Sequence, residues 1–173
     1  MKASIAPSQT PSSPSSTATP SPRPSTTIQP PIPSGIAFEN SADGAEAYAH
    51  FLFQAWWYLI NTRDIEWWDA NIPDCGWKTA MRDSALHLIK NETLNETAPI
   101  NPQAISRKVN PENGSEFGIT LHANVSDIYK VTKDGARSVA YPGEKYELIA
   151  RLLHNGISWD AVAVVTQGMD DSN

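Results

Sequence analysis

Phe117-Gly118-Ile119-Thr120-Leu121-His122-Ala123-Asn124-Val125 is the stretch that decides the fold class. Its apolar residues, Phe117, Ile119, Leu121, Ala123 and Val125, alternate with small or polar ones. A period of two predicts a strand with one buried and one wet face. His122 falls on the wet face and is expected to be solvent-exposed. Downstream, Tyr146, Leu148, Ala150 and Leu152 repeat the pattern, Asn155-Gly156 offers a tight hairpin turn, and Trp159, Ala161, Ala163 and Val165 alternate after it. Asp134-Gly135 reads as a turn or loop, and a weaker strand over Gln103 to Val109 precedes the rest.

Upstream of Pro102 the period is 3.6. Ala45, Ala49, Leu52, Trp56 and Ile60 repeat at helical spacing, widened by Tyr48, Phe53 and Leu59, which predicts a helix from about Ala45 to Asn61 buried against a sheet. Asp43, with Glu46 three residues on, resembles a capping box at its start. Asp64 caps a short helical turn over Ile65 to Asp69. A further helix runs from near Asp74 to near Asn91, with Trp77, Met81, Ala85, Leu88 and Ile89 on one side. Helices first and an antiparallel meander of about four strands after them make an α+β layout, the helices covering one face of the sheet.

Composition divides the chain. Residues 1–35 contain nine Pro, nine Ser and five Thr, no aromatic and no acidic residue, and only Lys2 and Arg23 as charges. Such a segment cannot bury enough apolar surface to offset the entropy of ordering it, and is expected to be a disordered tether. The domain is expected over 36–168, with 169–173 a disordered tail. The tether carries +2 and the remainder −8, a balance that repels phosphate backbones and argues against a nucleic-acid partner. The single Cys75 excludes a disulfide within the monomer, and His50, His87, His122 and His154 form no zinc spacing with it. No metal or other cofactor is implied. No run of 18 apolar residues predicts a membrane-spanning segment. The N-terminus lacks the apolar core of a signal peptide. A surface-spacer role for the tether suggests that an export signal preceded Met1; an ordinary tail on a cytoplasmic protein is the other reading.

The run Gly44-Ala-Glu-Ala-Tyr-Ala-His-Phe-Leu-Phe-Gln-Ala-Trp-Trp-Tyr58, then Thr62-Arg-Asp64 and Asp74-Cys75-Gly76, with the approach Pro30-Pro-Ile-Pro33, resembles the DUF6318 family over roughly residues 30–166. That family comprises uncharacterised actinobacterial proteins, many of them lipoproteins. The resemblance implies an NTF2-like cone, N-terminal helices packed on a curved sheet, and an extracytoplasmic, membrane-associated location if an upstream signal and lipid-acceptor Cys were lost from the start. If Met1 is the true start, the chain is cytoplasmic. Family members often carry Cys-x-x-Cys after the short helical turn; here Lys78 stands at the second position, so that local disulfide is absent.

Five of the six Trp lie between Trp56 and Trp77. Aromatic rings at this density either fill the core or wall a small-molecule site. Trp56, on the main stripe, is expected in the core; Trp57, Tyr58 and Trp68 are the candidate ligand-binding residues, with Tyr58 as a hydrogen-bond donor. NTF2-like folds include isomerases and dehydratases that use a buried carboxylate or His, for which Asp69, His87 and Asp160 are the weak catalytic candidates. Four Asn-x-Ser/Thr sequons, at Asn91, Asn95, Asn113 and Asn124, read more simply as polar turns and a strand if the source is bacterial. The expected function is an uncharacterised, non-catalytic envelope-associated accessory or binding module, its partner a small molecule or an envelope protein, with a homodimer left open. The alternative is an isomerase or dehydratase acting on a small apolar molecule. A cone filled by Trp favours the module; an open apolar pocket with a buried carboxylate or His favours the enzyme.

Overall fold

A single long helix, α1 (Ala42–Thr62), runs through the middle of the structure. The structure, a computed structural model, describes residues 28–91 and 93–169. The helix starts three residues before the expected Ala45, because Ser41 rather than Asp43 caps it: the Ser41 hydroxyl accepts a hydrogen bond from the Gly44 amide at 3.0 Å. Asp43 is exposed instead, Glu46 is half-buried, and both pair with Arg107. Gly44 is required at its position, since a Cβ there would lie 2.1 Å from the Glu39 carbonyl oxygen. Residues Ala45, Ala49, Leu52, Phe53 and Ala55 have no exposed surface. The helix is covered on one side by the 3-10 turn Gly35–Phe38 and elsewhere by the other helices and the sheets.

Two shorter helices follow. Asp64 caps α2 (Ile65–Asn71), as expected, through its carboxylate and the Trp67 amide. Cys75 caps α3 (Gly76–Lys90): its Sγ accepts from the Lys78 amide at 3.5 Å. Lys78, at the family-like second Cys position, is itself buried and donates to the Asp69 carbonyl and the Asp74 carboxylate, each at 2.9 Å.

Among the described residues seven strands follow, in two antiparallel sheets rather than one of about four strands: β1 (Leu94–Glu96), β2 (Gln103–Asn110), β3 (Asn113–Val125), β4 (Ile128–Val131), β5 (Arg137–Tyr141), β6 (Glu144–His154) and β7 (Trp159–Met169). The larger sheet has the order β2-β3-β6-β7, the expected meander; the smaller, β1-β4-β5, was not anticipated. Strands β3 and β6 keep the predicted phase, with Phe117, Ile119, Leu121, Ala123 and Val125 packed against Leu148, Ala150 and Leu152 in the core. In β7 the phase flips. A bulge between the pairs Arg151–Ala163 and Leu152–Ala161 leaves Val162 over, so Val164 rather than Ala163 and Val165 faces the core. Gly156, with φ of 97°, makes the preceding hairpin possible.

The N-terminal approach is held by Trp159. Its indole N–H donates to the Ala37 carbonyl at 2.7 Å, and Ala37 is fully buried. Of the expected tether, residues 1–27 lie outside the described residues; 28–34 carry no helix or strand. Of the expected tail, 170–173 lie outside them too, and Met169 ends β7. No helix among the described residues is long and apolar enough to cross a membrane.

Candidate functional site

Strand β1 divides two of the cavities. Side chains alternate across a strand, and here Asn95 faces one cavity while Leu94 and Glu96 face the other. Neighbouring residues of α1 and β4 part the same way: Trp56 and Ile128 line the inner cavity, Trp57 and Tyr129 the outer cleft.

The inner cavity, of about 180 Å3, lies under α1 and α3. Its apolar wall comes from Trp56 and Leu59 of α1, Met81 and Ala85 of α3, and Ile128. Tyr146 packs its ring 5.5 Å from that of Trp56. Burial, then the hydrogen bond its hydroxyl gives to the Glu144 side chain, pushes the Tyr146 phenol up to about 12, so it stays protonated at any ordinary pH. The other polar groups here are Ser84, Asn95 and the Tyr141 hydroxyl. No Asp, Glu or His is among the residues lining it.

The outer cleft is larger, about 900 Å3. Trp57 forms part of its wall and is steadied by donating its indole N–H to the Thr97 carbonyl at 3.3 Å. Asn61 fixes the same turn, accepting from the Thr97 amide and donating to the Trp57 carbonyl. Opposite, the Arg137 guanidinium lies 3.6 Å from the centre of the Tyr129 ring and 3.7 Å from the Glu96 carboxylate. Asp127 accepts from the Gly143 amide at 2.7 Å and from the Tyr129 hydroxyl at 3.2 Å.

Trp57 thus lines the outer cleft. Tyr58 and Trp68 do not. Tyr58 is buried and donates to the Asp64 carboxylate at 2.9 Å; burial first, then that hydrogen bond, raises its pKa. Trp68 has no exposed surface; it packs 5.3 Å from the Trp77 ring and donates to the Lys78 carbonyl at 3.2 Å. The correction has a physical cause, because α3 folds over α2 and closes its open side. Trp56, by contrast, is in the core as expected.

Asp69, His87 and Asp160 lie on α2, α3 and β7 and line neither cavity. Asp69 forms an ion pair with Arg82 at 2.9 Å. His87 is exposed beside Asn91 at 2.9 Å. Asp160 is exposed, receives the Asn155 amide at 3.0 Å, and with burial raises Tyr48 to about 12. His122 is a further correction: it is on the wet face, but Glu147 on the neighbouring strand covers it, at 2.8 Å, leaving the side chain 15% exposed. Among the described residues no three of His, Cys, Asp and Glu gather as metal ligands would.

Helices packed on antiparallel sheets, with a largely apolar cavity whose lining includes no Asp, Glu or His, define an α+β fold. No protein-family model matches the chain, and no curated protein matches it. Among solved structures, the intermembrane space region of the chloroplast protein ARC6 is similar in fold, with a TM-score of 0.55 at 10% identity, over 75% of this chain and 98% of that one. An uncharacterised protein with a cystatin-like fold from Caulobacter vibrioides aligns over 74% of this chain and 90% of its own, with a TM-score of 0.40 at 12% identity.

Proposed function

We propose that the chain is a non-catalytic binding module of the DUF6318 type, extracytoplasmic and envelope-associated, whose NTF2-like cone holds a small apolar molecule. The carrying observation is the inner cavity: about 180 Å3, walled by Trp56, Leu59, Met81, Ala85 and Tyr146, with no carboxylate or imidazole in its lining. A dry apolar cavity of roughly 150 Å3 accommodates a single aromatic ring. Here Ser84 and Asn95 add one or two orienting hydrogen bonds, the usual composition of a small-molecule site. An isomerase or dehydratase needs a group that takes or gives a proton within hydrogen-bond reach of the substrate. Asp69, His87 and Asp160 are outside the cavity, and this supports binding over turnover.

The test is a titration of the full chain with toluene and with indole. Occupancy at a hundred times Kd contributes about 2.7 kcal/mol, or roughly 5–10 °C in melting temperature for a domain of this size. Ala85→Met, which grows a helix-favouring side chain into the cavity, is expected to abolish the shift while keeping its far-ultraviolet spectrum. Equal shifts in wild type and Ala85→Met, or none in either, would remove the cavity as the site.

A further inference from the structure

We propose that the outer cleft at Trp57 is a docking groove for the chain's own N-terminal segment, residues 20–27 (Pro20-Ser21-Pro22-Arg23-Pro24-Ser25-Thr26-Thr27). It is a second site, on the far side of β1 from the inner cavity, and stands whether or not that cavity binds.

Where the chain enters is the first argument. Ile28 and Gln29, the first described residues, are already part of the cleft wall. The chain then leaves through Pro30-Pro31-Ile32-Pro33 toward the 3-10 turn, which Trp159 pins through the Ala37 carbonyl. The 27 residues before Ile28 therefore start at the mouth of the groove. Five residues of polyproline-type chain reach roughly 15 Å, enough to carry Arg23 across a cleft of about 900 Å3.

Chemical fit is the second. Proline-rich extended segments dock on aromatic-lined grooves, because the chain is stiff before it binds and its rings lie flat on aromatic faces. Trp57 and Tyr129 supply those faces, with Leu94 and Pro99 as the apolar floor. Tyr129 is held by its own hydrogen bond to Asp127 and by Arg137 over its ring. Charge is the third argument. The ionisable groups lining the cleft are Glu96, Asp127 and Arg137, a net charge of −1. Arg23 is the sole ionisable residue between Ala3 and Ile28. Covalent attachment puts the segment at an effective concentration on the order of millimolar, so a weak intrinsic affinity is enough to fill the groove.

A nitroxide label tests this on the full chain: Ser21→Cys in a Cys75→Ser background, with the indole N–H signals of Trp57 and Trp68 as reporters. The label is expected to broaden Trp57 strongly and the buried Trp68 little, and Arg23→Glu is expected to relieve the Trp57 broadening. Equal effects on the two indoles, or no relief by Arg23→Glu, would overturn the proposal. So would broadening that appears only between labelled and isotope-enriched molecules mixed together, which would place a second copy's segment in the groove.

Discussion

Replacing Trp68 by alanine separates the two fates assigned to the tryptophan cluster. Trp68 sits on a helix of only seven residues, yet it has no exposed surface, meets Trp77 at 5.3 Å and gives its one N–H to the Lys78 carbonyl. Truncating a buried Trp removes its transfer free energy and leaves a cavity, about 3–5 kcal/mol together. With a urea slope of roughly 2 kcal/mol per molar, the midpoint is expected to fall by roughly 1.5–2.5 M. Trp68→Phe keeps most of the ring and removes one hydrogen bond to a Lys78 carbonyl that α3 itself still satisfies, at about 0.5–1.5 kcal/mol. Trp57→Ala is the control: Trp57 is half-buried on the cleft wall and is expected to cost clearly less than Trp68→Ala. Urea unfolding followed by far-ultraviolet dichroism reads all three. A loss below about 1 kcal/mol for Trp68→Ala, or a larger loss for Trp57→Ala than for Trp68→Ala, would refute the placement of Trp68 in the core.

Two further outcomes follow from single side chains. Glu116 takes a hydrogen bond from Arg151, the larger cause, and another from Asn110, which together hold its carboxyl below the usual carboxylate range. A carboxyl whose pKa is depressed in the folded state stabilises the protein above its unfolded pKa, about 4.3 for Glu, and that contribution is lost as pH falls through the folded value. The stability difference between wild type and Glu116→Gln is therefore expected to be present at pH 6 and to vanish on acidification, measured as melting temperature against pH; a difference that grows below pH 4 would contradict the assignment. Cys75→Ser is expected to change stability by less than about 1 kcal/mol, because serine is the better helix cap and the Lys78 amide keeps its acceptor. Prompt covalent dimerisation of the wild type in native extracts would show instead that Cys75 joins two chains.

The strands that sequence predicted are those whose two faces differ in chemistry. β3 alternates apolar with small or polar residues along its length, β6 keeps Leu148, Ala150 and Leu152 on one face although Ile149 and Leu153 interrupt the pattern, and both phases survive into the structure. β7 fails midway because Ala161-Val162-Ala163-Val164-Val165 is apolar throughout. With no polar residue to mark the outer face, nothing local signals that Val162 is bulged out. β1 has three residues, too few for a period, and β5 is exposed at every position, so it has no buried face to reveal. His122 is a different kind of miss: the alternation gave the right face, but exposure on that face depends on the neighbouring strand, which brings Glu147 alongside it. The helix start was misplaced by a choice between two good caps, Ser41 and Asp43. Tertiary contacts decided it, since Arg107 on β2 takes the Asp43 carboxylate.

The candidate site was less legible because the small sheet, unseen in the sequence, is what builds it. Trp57 and Trp56 are adjacent in the chain but line different cavities, as do Tyr129 and Ile128, and only β1 and β4 part them. Asp69, His87 and Asp160 are candidates by residue type alone, and type does not encode burial. The carboxylates that the fold does draw inward are Glu46, Glu116 and Glu147, whose side chains are 19%, 11% and 17% exposed. Each is paired: Glu46 with Arg107, Glu116 with Arg151, Glu147 with His122 and the Gln167 amide. Glu116 and Glu147 lie on strands that present their apolar residues to the helices, so their own side chains lie on the opposite face of the large sheet, away from the inner cavity. Turning either of these two carboxylates through the sheet would take a one-residue slip of register, which would expel Leu121 or Leu148 from the core. The alternation that makes the sheet stable is thus also what keeps Glu116 and Glu147 on its far face.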